Sequence, residues 1–240
     1  MSITISLPKE KSVVAAFDFD GTLTTGDTLI AFIRFTHGWW RMFAGFLLHA
    51  HHLVAMKLGL YPNWKAKEKV FAFFYKGTPY TQFAQWGREF TEVVETMLDS
   101  RTVALLRQHQ AKGHAVCVVT ASVGEWVRPV CNQLGVTLVL STCVEVSADG
   151  LLTGCFLPRC TKPTDGLPKT RNTLGSSRSS RPLDPSKNCY GAEKVARLLE
   201  AFPDRENYIL YAYGDSRGDD ELLAFADRDS RIDHHNRKRL

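Results

Sequence analysis

The run Val13-Val14-Ala15-Ala16-Phe17, followed at once by Asp18-Phe19-Asp20-Gly21-Thr22, limits the possible folds of this chain more than any other stretch. Five consecutive apolar residues with little polar alternation predict a parallel strand buried on both faces. Open α/β sheets bind ligands in the crevice outside the carboxyl ends of their strands. Asp18 and Asp20 therefore stand where a substrate would lie. On a regular strand they would share one side, and Gly21 lets the chain leave sharply. Two neighbouring carboxylates can divide covalent attack and proton transfer between them. The plainer alternative is a strand that ends in a solvated acidic turn.

Three more motifs follow. The apolar run Ala115-Val116-Cys117-Val118-Val119 delivers the hydroxyls of Thr120 and Ser122. Ser122-Val123-Gly124-Glu125 has the form of a capping box, which makes Ser122 the expected start of a helix. The free amides of such a helix end favour an anion. Pro129 is expected to distort or delay that helix, and Gly135 to end it. Next, Gly191-Ala192-Glu193-Lys194 opens a helical pattern carried by Val195, Leu198, Leu199 and Phe202 and stopped by Pro203. Lys194 falls in its first turn and off the apolar stripe, where the helix dipole disfavours a cation. Lys187 is a weaker candidate for the same work. Last, Tyr208-Ile209-Leu210-Tyr211-Ala212-Tyr213 runs into Gly214-Asp215-Ser216-Arg217-Gly218-Asp219, with Asp220 and Glu221 suited to the next helix's first turn.

In order and content these four motifs resemble those of the haloacid dehalogenase-like phosphatases. The resemblance spans roughly residues 12–226, and is most similar to the subfamily related to phosphoserine phosphatases, subfamily IB. It implies an α/β three-layer sandwich on a mainly parallel sheet with a Rossmann-like core. Residues 1–27 and 101–240 would form that core, and residues 28–100 an inserted helical cap. It implies Asp18 as nucleophile, Asp20 as acid and base, and Thr120 and Lys194 as phosphate-binding residues. Mg²⁺ would be held by Asp18, the Asp20 carbonyl and Asp215, with Asp219 in support. Mg²⁺ takes few carboxylates, keeps waters and binds substrate phosphate, which suits such a site. In the resembling phosphoserine phosphatases a Glu nine residues after the nucleophile contacts substrate. Here Asp27, one methylene shorter, is the candidate for that contact. The implied activity is Mg²⁺-dependent hydrolysis of a small phosphorylated metabolite such as phosphoserine. A lipid-linked phosphatase, similar to bacterial phosphatidylglycerophosphate phosphatases, is one alternative. A non-catalytic phosphate-binding or scaffold protein is another. Asp20 favours a phosphatase, since in the family true dehalogenases lack this acid.

A chain of 240 residues can bury one core and a small accessory domain. Residues 1–10 lack the apolar centre of a signal peptide, and the six cysteines form no Cys-x-x-Cys pair. Both favour a cytoplasmic location. Residues 28–100 carry aromatic-rich helical runs, with Asn63 a possible N-cap and a helix expected from Thr78-Pro79 to about Leu98. The stretch from Phe32 to Leu60 raises a membrane reading, but its apolar runs are too short to span a bilayer. Peripheral contact through an interfacial helix is the alternative to cap helices packed on each other and on the core. His49, His51 and His52 have no evident ligand partners. Residues 158–187 hold five of the ten prolines, and seven Lys or Arg against two Asp or Glu, so the chain's net charge of +5 is local to them. That composition predicts a flexible insertion. It lacks the aromatics that would stack on bases, so nucleic acid is not an expected partner.

Overall fold

The computed structural model describes residues 11–158 and 188–232. Lys187, nearly all of the segment 158–187 and the basic tail at Arg237-Lys238-Arg239 lie outside them. β1 (Ser12–Phe17) is followed by five helices: α1 (Thr28–Leu48), α2 (Ala50–Lys57), α3 (Asn63–Tyr75), α4 (Tyr80–Glu89) and α5 (Thr91–Met97). Then come α6 (Ser100–Ala111), β2 (Ala115–Val123), α7 (Gly124–Gln133), β3 (Leu138–Val146) and β4 (Leu152–Leu157). After the undescribed segment the chain continues through α8 (Ala192–Ala201), β5 (Tyr208–Gly214), α9 (Asp220–Phe225) and β6 (Arg228–Arg231).

The six strands form one sheet in the order β4-β3-β2-β1-β5-β6. All neighbours are parallel except β3 and β4, which form an antiparallel hairpin. β1 is central and apolar on both faces, as its sequence predicts. Alternate residues enter different cores: Ala15 and Phe17 join the cluster shared with α7 and the helical insertion, while Val14 and Ala16 join the one beneath α8 and α9. The fold is the expected mainly parallel sheet between helical layers, with a helical insertion after the first strand.

The insertion leaves and rejoins the sheet at one place, where Thr24 bridges Leu98, and Asp99 then caps α6 through the amides of Arg101 and Thr102. Its centre is aromatic: Phe32, Phe71, Tyr75, Phe83 and Phe90 are fully buried, and Phe32 stacks on Trp126 of α7 at 4.6 Å. Only part of the insertion is packed in this way. α1 breaks at Gly38 (φ 75°), and beyond it Gly45 is the only buried residue of that helix, while α2 has none. Residues 39–60 pack on one side alone: Met42, Phe46 and Leu53 lie against the core as expected, whereas Trp39, Trp40 and Phe43 are exposed on the other side.

Three local expectations also change. α7 runs unbroken through Pro129. Asn63 is the first residue of α3 rather than its cap, and its side chain joins Met56 Sδ to Asn188. The helix expected up to Leu98 is two, meeting at Phe90.

Candidate active site

β1 ends at Phe17, and the Asp18 amide donates to Tyr213 O of β5 at 2.9 Å, fixing the aspartate at the sheet's carboxyl edge. The chain then makes one wide turn, Phe19–Leu23, with non-helical backbone at Asp20 and Gly21. The two aspartates are thus not on a regular strand, yet both line one cavity of about 350 Å³. Gly21 is required twice over: its φ is 74°, and a Cβ there would stand 2.3 Å from Asp215 Oδ2. Only a residue without a side chain lets the β1 turn and the β5 end close on each other.

Lys194 projects from the first turn of α8 into this space, 2% exposed. Its Nζ donates to Asp18 Oδ1 and Asp219 Oδ1, both at 2.5 Å. Burial pulls the ammonium down, but Asp18 and Asp219 outweigh it and hold Lys194 above its usual range. Asp18 is pushed up to about 7, chiefly by burial, with Asp219 and Asp20 adding to the rise and Lys194 opposing it. Lys194 thus sets one positive charge among the carboxylates of Asp18, Asp215 and Asp219, which leaves negative charge in surplus.

Asp219 is fully buried. Its second oxygen accepts from the Ser216 amide and hydroxyl, both at 3.0 Å, and from the Asp215 amide at 3.3 Å. Asp215 is half-buried and accepts from Thr22 Oγ1. Asp18, Asp215 and Asp219 each place a carboxylate oxygen within 4.8 Å of the others. This hard, all-oxygen set with surplus negative charge fits a Mg²⁺ ion.

Asp20 is held differently. Oδ1 accepts from the Thr28 amide at 2.7 Å and hydroxyl at 2.6 Å, and Oδ2 accepts from the Ser122 hydroxyl. Trp126 Nε1 in turn donates to Thr28 Oγ1 at 3.0 Å. Burial raises the Asp20 pKa and Asp27 adds to the rise, against the Ser122 and Thr28 hydrogen bonds. The capping-box reading of Ser122 is thereby corrected. Val123 occupies the cap of α7 without a side-chain bond, and Ser122 lies in the last residues of β2 with its hydroxyl on Asp20.

Thr120 is fully buried and is not among the residues that line the cavity, whereas its neighbour Ala121 is; the Thr120 Oγ1 accepts from the Ser122 amide at 3.0 Å. A hydroxyl that accepts in this way can still donate its proton to an anion. Asp27 is exposed at the cavity mouth, where its carboxylate caps α1 through the Leu29 and Ile30 amides. Lys67 of α3 and Tyr190 line the same cavity, and sequence reasoning passed over both. Lys67 carries no local signal. Tyr190 immediately precedes the Gly191-Ala192-Glu193-Lys194 motif and packs against Gly218.

A family model of haloacid dehalogenase-like hydrolases matches residues 15–167. Protein CicA of Caulobacter vibrioides is 33% identical over 219 residues, covering 90% of this chain and 83% of CicA. Among solved structures, a protein of unknown function from Bordetella pertussis Tohama I superimposes with a TM-score of 0.68 at 21% identity, over 92% of this chain and 89% of that one. A phosphoserine phosphohydrolase-like protein from Francisella tularensis gives 0.60 at 16%, over 94% and 90%. A phosphoserine phosphatase bearing a phospho-aspartyl intermediate analogue gives 0.57 at 16%, over 92% and 86%. At these identities the structures speak for the fold.

Proposed function

Because the chain belongs to the haloacid dehalogenase-like hydrolase family, we propose that it hydrolyses phosphomonoesters through an aspartyl phosphate formed on Asp18. The carrying observation is the buried Lys194–Asp18 pair at 2.5 Å, set in a cavity that Asp20 and Asp215 also line.

An Asp18 oxygen attacks phosphorus while the ester oxygen departs on the opposite side. Asp20, whose pKa burial raises above the usual carboxylate range, delivers its proton to that leaving oxygen. Asp20, now a carboxylate, takes a proton from water, whose oxygen displaces Asp18 from phosphorus and releases inorganic phosphate. Lys194 and Thr120 hold the phosphoryl oxygens, and Lys194 also screens Asp18 from their charge. Asp18, Asp215 and the Asp20 carbonyl would hold Mg²⁺, with Asp219 positioning Lys194 and the 215–216 loop around it. Bound there, the ion neutralises charge developing on the phosphoryl oxygens. Residues 28–100 act as the cap that roofs the cavity. A small phosphorylated metabolite such as phosphoserine fits the cavity's size and the family's members. Asp27, already engaged in capping α1, is the least supported of the proposed substrate contacts.

A panel of phosphorylated metabolites assayed with and without Mg²⁺ tests this reading. Release of phosphate should require the ion, and Asp215→Ala should lose most of the activity and weaken Mg²⁺ binding measured by calorimetry. Full turnover in excess chelator would remove the metal from the scheme.

Ser122→Ala separates positioning from mere packing. The Ser122 hydrogen bond stabilises the Asp20 carboxylate and so lowers its pKa. Its loss should raise that pKa further and carry the alkaline limb of the pH–rate profile to higher pH, with kcat reduced about tenfold. An unmoved limb would show that Ser122 does not act through Asp20.

A further inference from the structure

Residues 28–67 contain no Asp or Glu at all, in a chain that has 25 of them, yet they carry Arg34, Arg41, Lys57, Lys65 and Lys67. The same region holds ten of the twelve exposed large apolar side chains among the described residues, all between Ile30 and Leu60. The exposure is concentrated beyond the break at Gly38. Trp39, Trp40, Phe43 and Leu47 are 55%, 78%, 54% and 67% exposed, and their helical spacing sets them on one face about 100° wide. Trp39 stacks on Phe43 and meets Trp40 edge-on, each at 6.1 Å between ring centres. The opposite side of this half-helix presses on α3: Gly45 lies so close that a Cβ would meet Phe74 at 2.3 Å. The helix therefore has an inner face already in use and an outer apolar face in water. α2 and its end continue this outer surface with Val54, Leu58 and Leu60, and with Lys57.

We propose that the α1–α2 face docks on an anionic phospholipid surface, the two tryptophans and Phe43 entering the acyl boundary and Arg41 and Lys57 meeting the headgroups. Exposed apolar surface gathered in one place marks an interaction site. Its charge selects the occupant. A second copy of this chain would bring another acid-free cationic face against the first, whereas an anionic bilayer complements it. Tryptophan is the side chain best suited to a boundary that is apolar on one side and wet on the other. Among the described residues no helix is long and apolar enough to cross a membrane, so contact is confined to the interface. The proposal does not depend on the phosphatase reading.

The full chain should float with vesicles of phosphatidylcholine and phosphatidylglycerol at 7:3 at least tenfold more strongly than with phosphatidylcholine alone, and less strongly as salt rises. Brominated acyl chains should quench its tryptophan fluorescence. The quadruple change Trp39→Ser, Trp40→Ser, Phe43→Ser and Leu47→Ser should cut binding at least tenfold while leaving melting temperature and hydrolysis of a soluble phosphomonoester unchanged. If four changes disturb folding, the exposed pair Arg41→Glu and Lys57→Glu serves instead and should abolish the anionic preference. Absent vesicle binding by the wild-type protein, or undiminished binding by the variants, overturns the proposal. So does a wild-type dimer that the quadruple change converts to monomer, which would give the face to a second copy.

Discussion

Asp18→Asn is expected to abolish turnover and, in the same protein, to raise the stability of the metal-free form at pH 8. The kinetic half follows from chemistry, since an amide oxygen is too poor a nucleophile to take a phosphoryl group. A loss on the order of 10⁴-fold or more is expected, with no trapped phosphoenzyme. The stability half follows from charge. Burial, more than any neighbour, pushes Asp18 from 3.8 up to about 7. A carboxyl whose folded pKa lies above its unfolded value holds its proton more tightly in the folded state. Its cost is therefore absent below the unfolded pKa, grows as pH rises, and is complete above about 7. The span corresponds to at most about 4 kcal/mol. Asparagine escapes that cost. Thermal melts in chelator at pH 5 and pH 8 should show the wild type weakening with pH relative to the variant, and Mg²⁺ should close the gap by binding only the folded wild-type site. Near-normal turnover by the variant would sink the nucleophile assignment. Parallel melting curves for the two proteins at both pH values would sink the electrostatic one.

Lys194→Ala is expected to be the most destabilising single change in the site. The ammonium stands between Asp18 and Asp219, all three nearly or fully buried. Removing it leaves two carboxylates facing each other without water, a situation that costs roughly 3–5 kcal/mol. Lys194→Arg should rescue little, because a planar guanidinium cannot occupy a point between two oxygens each 2.5 Å from one nitrogen. The informative measurement is a double-mutant cycle. If the cost is repulsion, adding Asp18→Asn to Lys194→Ala should recover a large part of it, although each residue belongs to the same site. Denaturant melts of the four proteins decide this, and strict additivity of the two changes would contradict the mutual burial of the pair.

The strands and their terminal acids were legible because a buried parallel strand writes itself as an unbroken apolar run, and its end as the first charge. Lys194 was legible because a cation in a helix's first turn goes against the dipole, so its position calls for a partner. What failed were local signals that tertiary contacts override. Ser122-Val123-Gly124-Glu125 has a capping box's spelling, yet β2 stays extended through Val123 and delivers the hydroxyl to Asp20, an acceptor 102 residues away. Pro129 removes a hydrogen bond to the Glu125 carbonyl without breaking α7, and that carbonyl lies against Gly87 of α4 instead. Thr28 gave no sign at all, because its role depends on the insertion's first residue folding back over the Asp20 turn. The exposed face of α1 could not be read from composition, since a helical pattern of aromatics looks the same whether its partner is protein, lipid or water.

Asp219 does more than balance a charge. One oxygen fixes the tip of a side chain from α8, and the other fixes the loop that leaves β5. Two parts of the chain that also touch through the Gly191 amide on Gly218 O thus share one carboxylate as a common pin, as two machine parts share a dowel. Anyone transplanting this chemistry to another scaffold would have to move the start of α8 and the β5–α9 junction as one rigid piece. Adjusting the cation and the loop separately would turn the shared pin into a source of misfit.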